Sequence, residues 1–256
     1  MPASRRNALT PRPPLPVAER GSALTTIYQR LHASYGNDTW HWSPAYVRGP
    51  MDVIAGAILV QHTTWQNAER ALEAMRWARA LDARAILLLS DDELSQMVRV
   101  SGTPSVKVRR LRAIALTIED AGGLDAFLAL HDGDLRARLV ATHGVGPESA
   151  DAIMLYAAGR RAFVIDAYTR RMFGRIGVTP EANTYGAWQL LFEEALPDGD
   201  TAMFQRYHAY IVLHSKAICR AKPQCDRCPI SDLCEKGRTH RNRRGMARHA
   251  PTRPPV

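Results

Sequence analysis

All four cysteines of this chain fall within one short stretch, as Cys219-x5-Cys225-x2-Cys228-x5-Cys234. That crowding limits the local fold more than any other feature of the sequence. Four thiols in one loop can ligate a single inorganic centre, whereas thiols spread for cross-linking tie distant segments together. Two centres take four cysteines, a zinc ion and a [4Fe-4S] cluster. Zinc loops usually read as two C-x-x-C knuckles, and here only Cys225 and Cys228 form one, which favours the cluster. A pair of disulfides in a secreted protein is the remaining reading. Against it, no apolar leader opens the sequence and no apolar run is long enough to span a bilayer, so no membrane association is expected.

The 256 residues are 46% apolar, enough for one large domain or two small ones. The net charge of +9 suggests a polyanionic partner, yet its location matters more than its sum. Residues 238–256 carry six arginines and no acid, and residues 1–22 carry four arginines and Glu19, so the body from 23 to 237 has no net charge. Any nucleic-acid surface there has to come from local clusters. The candidates are Lys107, Arg109, Arg110 and Arg112; Arg160 and Arg161; Arg170, Arg171 and Arg175; and Arg220, Lys222 and Arg227. Each fits a solvated helix face equally well. The Pro- and Arg-rich ends read as disordered tails with nonspecific phosphate contacts.

Between those ends apolar residues recur at three- and four-residue intervals, which predicts an all-α body. Val53, Ile54, Ala57, Ile58 and Leu59 mark one helix, and Ala68, Leu72 and Met75 mark the next. Ser90 and Glu93 form a capping box ahead of Leu94, Met97 and Val98, and Gly102 ends that helix. A helix through Leu111, Ile114, Ala115 and Ile118 runs to Gly122-Gly123. Further stripes lie at 124–130, 135–140, 185–192 and 203–211, the last leading into the cysteine loop.

In 139–157, LVATHGVGPESADAIMLYA, the helical pattern breaks at Gly144-Val145-Gly146 and resumes at Pro147. Glycine permits a sharp turn, and proline suits the first position of a helix. The amides at the turn then sit at a helix N-terminus, a natural phosphate cradle, although an ordinary helix–turn–helix connection has the same pattern. The second helix is expected to run about thirteen residues, roughly 20 Å. Beyond it, FVIDAYTRR places Asp166 after an apolar stretch and before a new helix, where Asp fits both an N-cap and a catalytic carboxylate.

The GVG hairpin, the VID aspartate and the four-cysteine loop, in that order, resemble the endonuclease III family of DNA glycosylases. The resemblance covers roughly residues 23–237. It implies a two-part fold: a six-helix barrel domain at 50–160 carrying the hairpin, and a cluster domain built from 23–49 and 161–237. Residues 1–22 and 238–256 are then disordered tails. It also implies a cytoplasmic, nucleoid-associated monomer whose partner is double-stranded DNA with a damaged base. By resemblance the cysteines hold [4Fe-4S], with zinc as the alternative. Gln61, in PMDVIAGAILVQHTTWQNAERAL, matches the glutamine that enters the duplex gap, and Gly144, Val145 and Gly146 match the DNA-binding hairpin.

Several departures narrow the chemistry that the resemblance implies. The lysine of bifunctional members, which forms a Schiff base at the sugar, is replaced by Glu148, and a carboxylate cannot form an imine. The lysines present, Lys107, Lys216, Lys222 and Lys236, all lie outside the hairpin. A monofunctional hydrolase is expected, with Asp166 stabilising oxocarbenium character and activating water. The alternatives are a bifunctional endonuclease III-type glycosylase and lyase for oxidised pyrimidines that recruits another amine, and a non-catalytic damaged-DNA-binding homologue. Glu148 is then a second acid or base, or a surface residue. The hairpin segment looks closest to the branch containing the 3-methyladenine glycosylases. There Trp40-His41-Trp42-Ser43-Pro44 partly matches a Trp-Trp-Pro base pocket, with His41 in place of a tryptophan and Trp42 as pocket aromatic. Stacking on tryptophan would select a cationic alkylated base; core packing is the alternative reading. Gly102-Thr103-Pro104-Ser105 matches a loop that usually supplies an apolar wedge, for which Thr103 is poorly suited.

Overall fold

The computed structural model describes residues 17–36 and 47–248. His41 and Trp42, the proposed base-pocket residues, lie outside them. Every regular element among the described residues is helical, in agreement with the periodicity. The order opens with α1 (Val17–Tyr35), α2 (Pro50–Leu59), α3 (Trp65–Trp77), α4 (Ala83–Leu88) and α5 (Asp91–Val98). It continues with α6 (Pro104–Asp120), α7 (Leu124–Leu128), α8 (Asp132–Ala141), α9 (Pro147–Tyr156) and α10 (Ala167–Ile176). It ends with α11 (Tyr185–Ala195), α12 (Thr201–Ala217) and α13 (Glu235–Arg248). No helix among the described residues is long and apolar enough to cross a membrane.

The chain divides into two compact units, one of Tyr35–Asp166 with Asp198–Tyr210, the other of Met1–Ser34, Ala167–Pro197 and Ile211–Val256. The barrel-type unit therefore begins at Tyr35 instead of residue 50 and also keeps residues 161–166 and 198–210, all of which the sequence assigns to the cluster domain. Aromatic packing explains the difference. Phe163 meets Phe204 and Tyr207 edge-on at centroid distances of 5.1 and 5.8 Å, and Arg161 lies over the Phe204 ring while donating to Gly199 O at 2.9 Å.

In this unit α2 forms the centre, with Met51 through Leu59 all buried. Ile54 and Ile58 share a core with Leu72 and Met75 of α3, Leu94 and Val98 of α5, Leu111, Ile114 and Ile118 of α6, and Ile153 of α9. Each such side chain contributes about 1.5–3 kcal/mol on burial. Helix starts follow local chemistry: Thr64, Asp82 and Ser90 accept from the amides of Asn67, Ala85 and Glu93, and Ser90 completes its capping box.

Two expected tail boundaries are corrected in the other unit. Helix α1 begins at Val17, inside the tail assigned to 1–22, because Leu24, Ile27 and Leu31 form a buried stripe that a continuous helix presents. Helix α13 runs through Arg248, inside the tail assigned to 238–256. It is anchored by the Arg238 amide on Cys234 O at 2.9 Å and by Arg241 on Ser231 Oγ at 2.9 Å. Gly237 makes this close approach possible: a β-carbon there would stand 2.2 Å from Ser231 O.

Candidate active site and cysteine loop

The hairpin expected at GVG forms between α8 and α9. Gly144 adopts φ 85, the Val145 amide returns to Thr142 O at 3.0 Å, and Gly146 precedes Pro147 at the first turn of α9. Val145 is buried while Gly146 is exposed. A side chain at Gly144 would collide with Arg110, whose Cγ lies 2.2 Å from the position a β-carbon would take. Arg110 in turn reaches the Gln61 side-chain oxygen, and Gln61 Nε2 donates to Gly144 O at 3.0 Å and to Ser149 Oγ at 3.1 Å. Gln61 thus braces the turn from the end of α2. Arg136 and buried Asp151 make a two-pronged ion pair, at 2.8 and 3.1 Å, that joins α8 to α9.

Helix α9 is shorter than the thirteen residues expected. It stops at Tyr156 because Gly159 takes the left-handed conformation, φ 64, and the Ala158 and Arg160 amides close back on Ile153 O and Met154 O. Glu148 sits exposed on its first turn, where a carboxylate complements the helix dipole.

Lys107, read from the sequence as part of a basic cluster, is 1% exposed. Its Nζ donates to Ile58 O, Leu59 O and Gln61 O at 2.7, 3.0 and 2.7 Å, satisfying the carbonyl end of α2. Burial, and then the neighbouring Arg110 charge, push its pKa down to about 8. Other cluster residues are similarly engaged. Arg112 donates to Ile86 O, Leu87 O and Leu89 O at the end of α4, and Arg160 pairs with Asp132 at 3.3 Å. The donors of Lys107 and Arg112 are thus engaged at helix ends, whereas Arg109, Arg220, Lys222 and Arg227 are exposed.

Asp166 lies immediately before α10 and is nine-tenths buried. His208 Nε2 faces its Oδ2 at 3.7 Å, and His208 Nδ1 meets the Tyr156 hydroxyl at 2.9 Å. The wedge-loop residue Thr103 is exposed at φ 43, ψ 59, next to Gly102 at φ 79. A β-branched residue at positive φ is strained, by about 1–3 kcal/mol.

In the other unit the four cysteines stand as free thiols. All four line one small cavity with Arg175, Ile218, Pro223, Ser231, Lys236 and Gly237. The loop backbone is clamped by guanidiniums. Arg175 Nη1 donates to Cys219 O at 3.1 Å, to Cys219 Sγ at 3.3 Å and to Arg220 O at 2.6 Å, and Nη2 donates to Ala221 O at 3.0 Å. Arg171 Nε adds Cys219 O at 3.2 Å. Buried His214 lies 3.5 Å from Cys228 Sγ. Burial drives the His214 pKa down to about 4, and burial followed by neighbouring cysteines drives Cys228 up to about 11, so both are neutral at pH 7. Among the described residues no three His, Cys, Asp or Glu side chains converge as a single metal ion requires.

Comparison with known proteins gives this geometry a family. The model described as "HhH-GPD superfamily base excision DNA repair protein" matches residues 55–198, more than half of the chain. The chain belongs to this superfamily. Among its relatives, "Putative DNA repair glycosylase MJ1434" of Methanocaldococcus jannaschii is 41% identical over 211 residues, covering 81% of this chain and 94% of the relative. Endonuclease III of Sulfolobus acidocaldarius is 26% identical over 215 residues, covering 82% and 94%. Two solved structures share the fold. A non-covalent endonuclease III–DNA complex aligns with TM-score 0.73 at 17% identity, over 87% of this chain and 98% of that one. The Helicobacter pylori 3-methyladenine DNA glycosylase bound to 1,N6-ethenoadenine aligns with TM-score 0.64 at 24% identity, over 79% and 98%.

Within this HhH-GPD fold, sequence reasoning overlooked His208 and Tyr156, and it misread Lys107 as a surface cation. His208 carries a faint signal, a histidine on the apolar stripe of Phe204, Tyr207 and Ile211. Tyr156 has none, since its partner lies fifty-two residues away.

Proposed function

We propose that this base-excision repair glycosylase is monofunctional: it flips a damaged, alkylated base out of double-stranded DNA and hydrolyses its N-glycosidic bond. Water attacks the sugar C1′ as the C1′–N bond breaks, and the Asp166 carboxylate stabilises the oxocarbenium character and accepts the water's proton. A cationic alkylated base leaves readily, so no strong acid is needed opposite Asp166. The hairpin at Gly144–Gly146 receives a DNA phosphate at the N-terminus of α9. Gln61 and Thr103 face the duplex, and Trp42, with His41, stacks on the flipped base. Gln61 has to exchange its bonds to Gly144 and Ser149 for DNA when it does so.

The observation that carries the reading is the combination of a buried Asp166 with a carboxylate, Glu148, where an amine nucleophile would stand. Lys107 does not supply the missing amine: it is 1% exposed and its three donors meet three carbonyls. The four cysteines suit a [4Fe-4S] centre. They line one small cavity together, and zinc is the alternative centre that four cysteines can hold. Cys219, Cys225, Cys228 and Cys234 would hold the centre, which would cross-link the loop, and Arg175 and His214 contact the Cys219 and Cys228 sulfurs.

The test is a set of duplexes, each with one lesion type, scored for abasic sites and for covalent trapping by borohydride. Release of an alkylated purine without strand scission or adduct is expected. A strong borohydride adduct would overturn the monofunctional reading.

A further inference from the structure

We propose that His208 is a positioning residue that presents an N–H to Asp166, with Tyr156 as the switchable hydrogen-bond partner that keeps it there. The inference deepens the function proposed above, resting on Asp166 as the reacting carboxylate.

His208 is 5% exposed, on the face of α12 shared with Phe204 and Tyr207. A buried imidazole needs partners for both nitrogens, and their identity sets the tautomer. Nδ1 stands 2.9 Å from the Tyr156 oxygen, Nε2 stands 3.7 Å from Asp166 Oδ2, and the same Tyr156 oxygen stands 3.1 Å from Gln205 O. Gln205 is itself fixed, its Nε2 donating to Leu155 O at 2.9 Å.

Tyrosine has one hydroxyl proton and here has two acceptors. When it donates to Nδ1, the ring is neutral and carries its proton on Nε2, toward Asp166. When the ring takes up a further proton from solvent on Nδ1, that N–H donates to the tyrosine oxygen and the hydroxyl turns to Gln205 O; the ring is then an imidazolium with Nε2–H still toward Asp166. The third arrangement, a neutral ring protonated only on Nδ1, sets a nitrogen lone pair against a carboxylate oxygen and is disfavoured by repulsion. Asp166 therefore faces an N–H in both favourable states. At 3.7 Å the contact is longer than a direct hydrogen bond. Its effect is to orient the carboxylate and to offset the cost of burying it ionised. Such contacts often shorten in the substrate complex.

The first test needs no substrate. Nitrogen-15 spectra of histidine-labelled protein, with His208→Gln used for assignment, should show the neutral His208 ring protonated on Nε2, and Tyr156→Phe should mix the tautomers. A ring protonated on Nδ1 would overturn the proposal. The second test follows single-turnover base release from a dimethyl sulfate-treated duplex, beside binding to a duplex with a tetrahydrofuran abasic analogue. His208→Phe should slow release about 10- to 100-fold with binding unchanged, below or at the low end of the ~10²–10⁴-fold effect of a group that itself transfers the proton. His208→Gln, which retains a donor near the Nε2 position, should recover to within about fivefold of the unaltered protein. In an Asp166→Asn background His208→Phe should have no further effect. Equal activity of His208→Phe and the unaltered protein, equal loss in the Phe and Gln variants, or additive loss with Asp166→Asn would each overturn it. Full release by Asp166→Asn alone would instead sink the proposed role of Asp166, a result the tautomer spectrum tells apart.

Discussion

The helices around the hairpin and the loop around the four cysteines are held by different means. In the first region apolar stripes on α2, α3, α5, α6 and α9 interlock, and the polar groups left over, the ends of α2 and α4, are capped by Lys107 and Arg112. In the second, α12 gives way to a loop with a single turn of 3-10 helix at Cys225–Arg227, and Arg171 and Arg175 grip its backbone carbonyls. The first region has a core that assembles from side-chain packing alone. The second spends four thiols where a core would otherwise be, and its Cys225, Cys228 and Cys234 thiols are all pushed up by burial. Binding a metal centre there has to displace protons, so metal and folding are linked.

The largest expected effect separates the two regions directly. Removing the proposed centre, by oxidation with a chelator or through Cys225→Ser, should lower stability by at least about 5 kcal/mol. Amide exchange should speed up across residues 219–241 while the amides of α6 stay protected; equal loss in both would break the contrast. Next comes the hairpin's own buried charge. Asp151→Ala leaves Arg136 without its two-pronged partner and should cost about 3 kcal/mol in chemical denaturation.

The smallest effect is packing at one glycine. Gly237→Ala forces α13 away from Ser231 and should cost about 1–3 kcal/mol, seen as a lower unfolding midpoint and faster loss of the centre.

The same contrast explains how far the sequence could be read. Where packing rules, periodicity was enough: Ile54 and Ile58, Leu72 and Met75, and Leu111, Ile114 and Ile118 all reach the core, and the Ser90 capping box forms. Polar roles were harder to see. Arginines and Lys107 that look like a DNA-facing surface are spent on carbonyls, because a helix end needs donors and sequence does not show which helix end lies nearby. Helix α13 was hidden by its arginines, since its anchors on Cys234 and Ser231 exist only once the loop has turned back. The Asp166 neighbourhood was half legible. The aspartate stands out by its place after an apolar stretch, whereas His208 arrives from a helix forty-two residues further along and Tyr156 from the end of α9.

The most direct test of the account compares single-turnover base release by the unaltered protein and by Asp166→Asn on a dimethyl sulfate-treated duplex. The prediction is a loss of at least about 10²-fold in release with the abasic-analogue duplex still bound. Release by Asp166→Asn at the rate of the unaltered protein would contradict it.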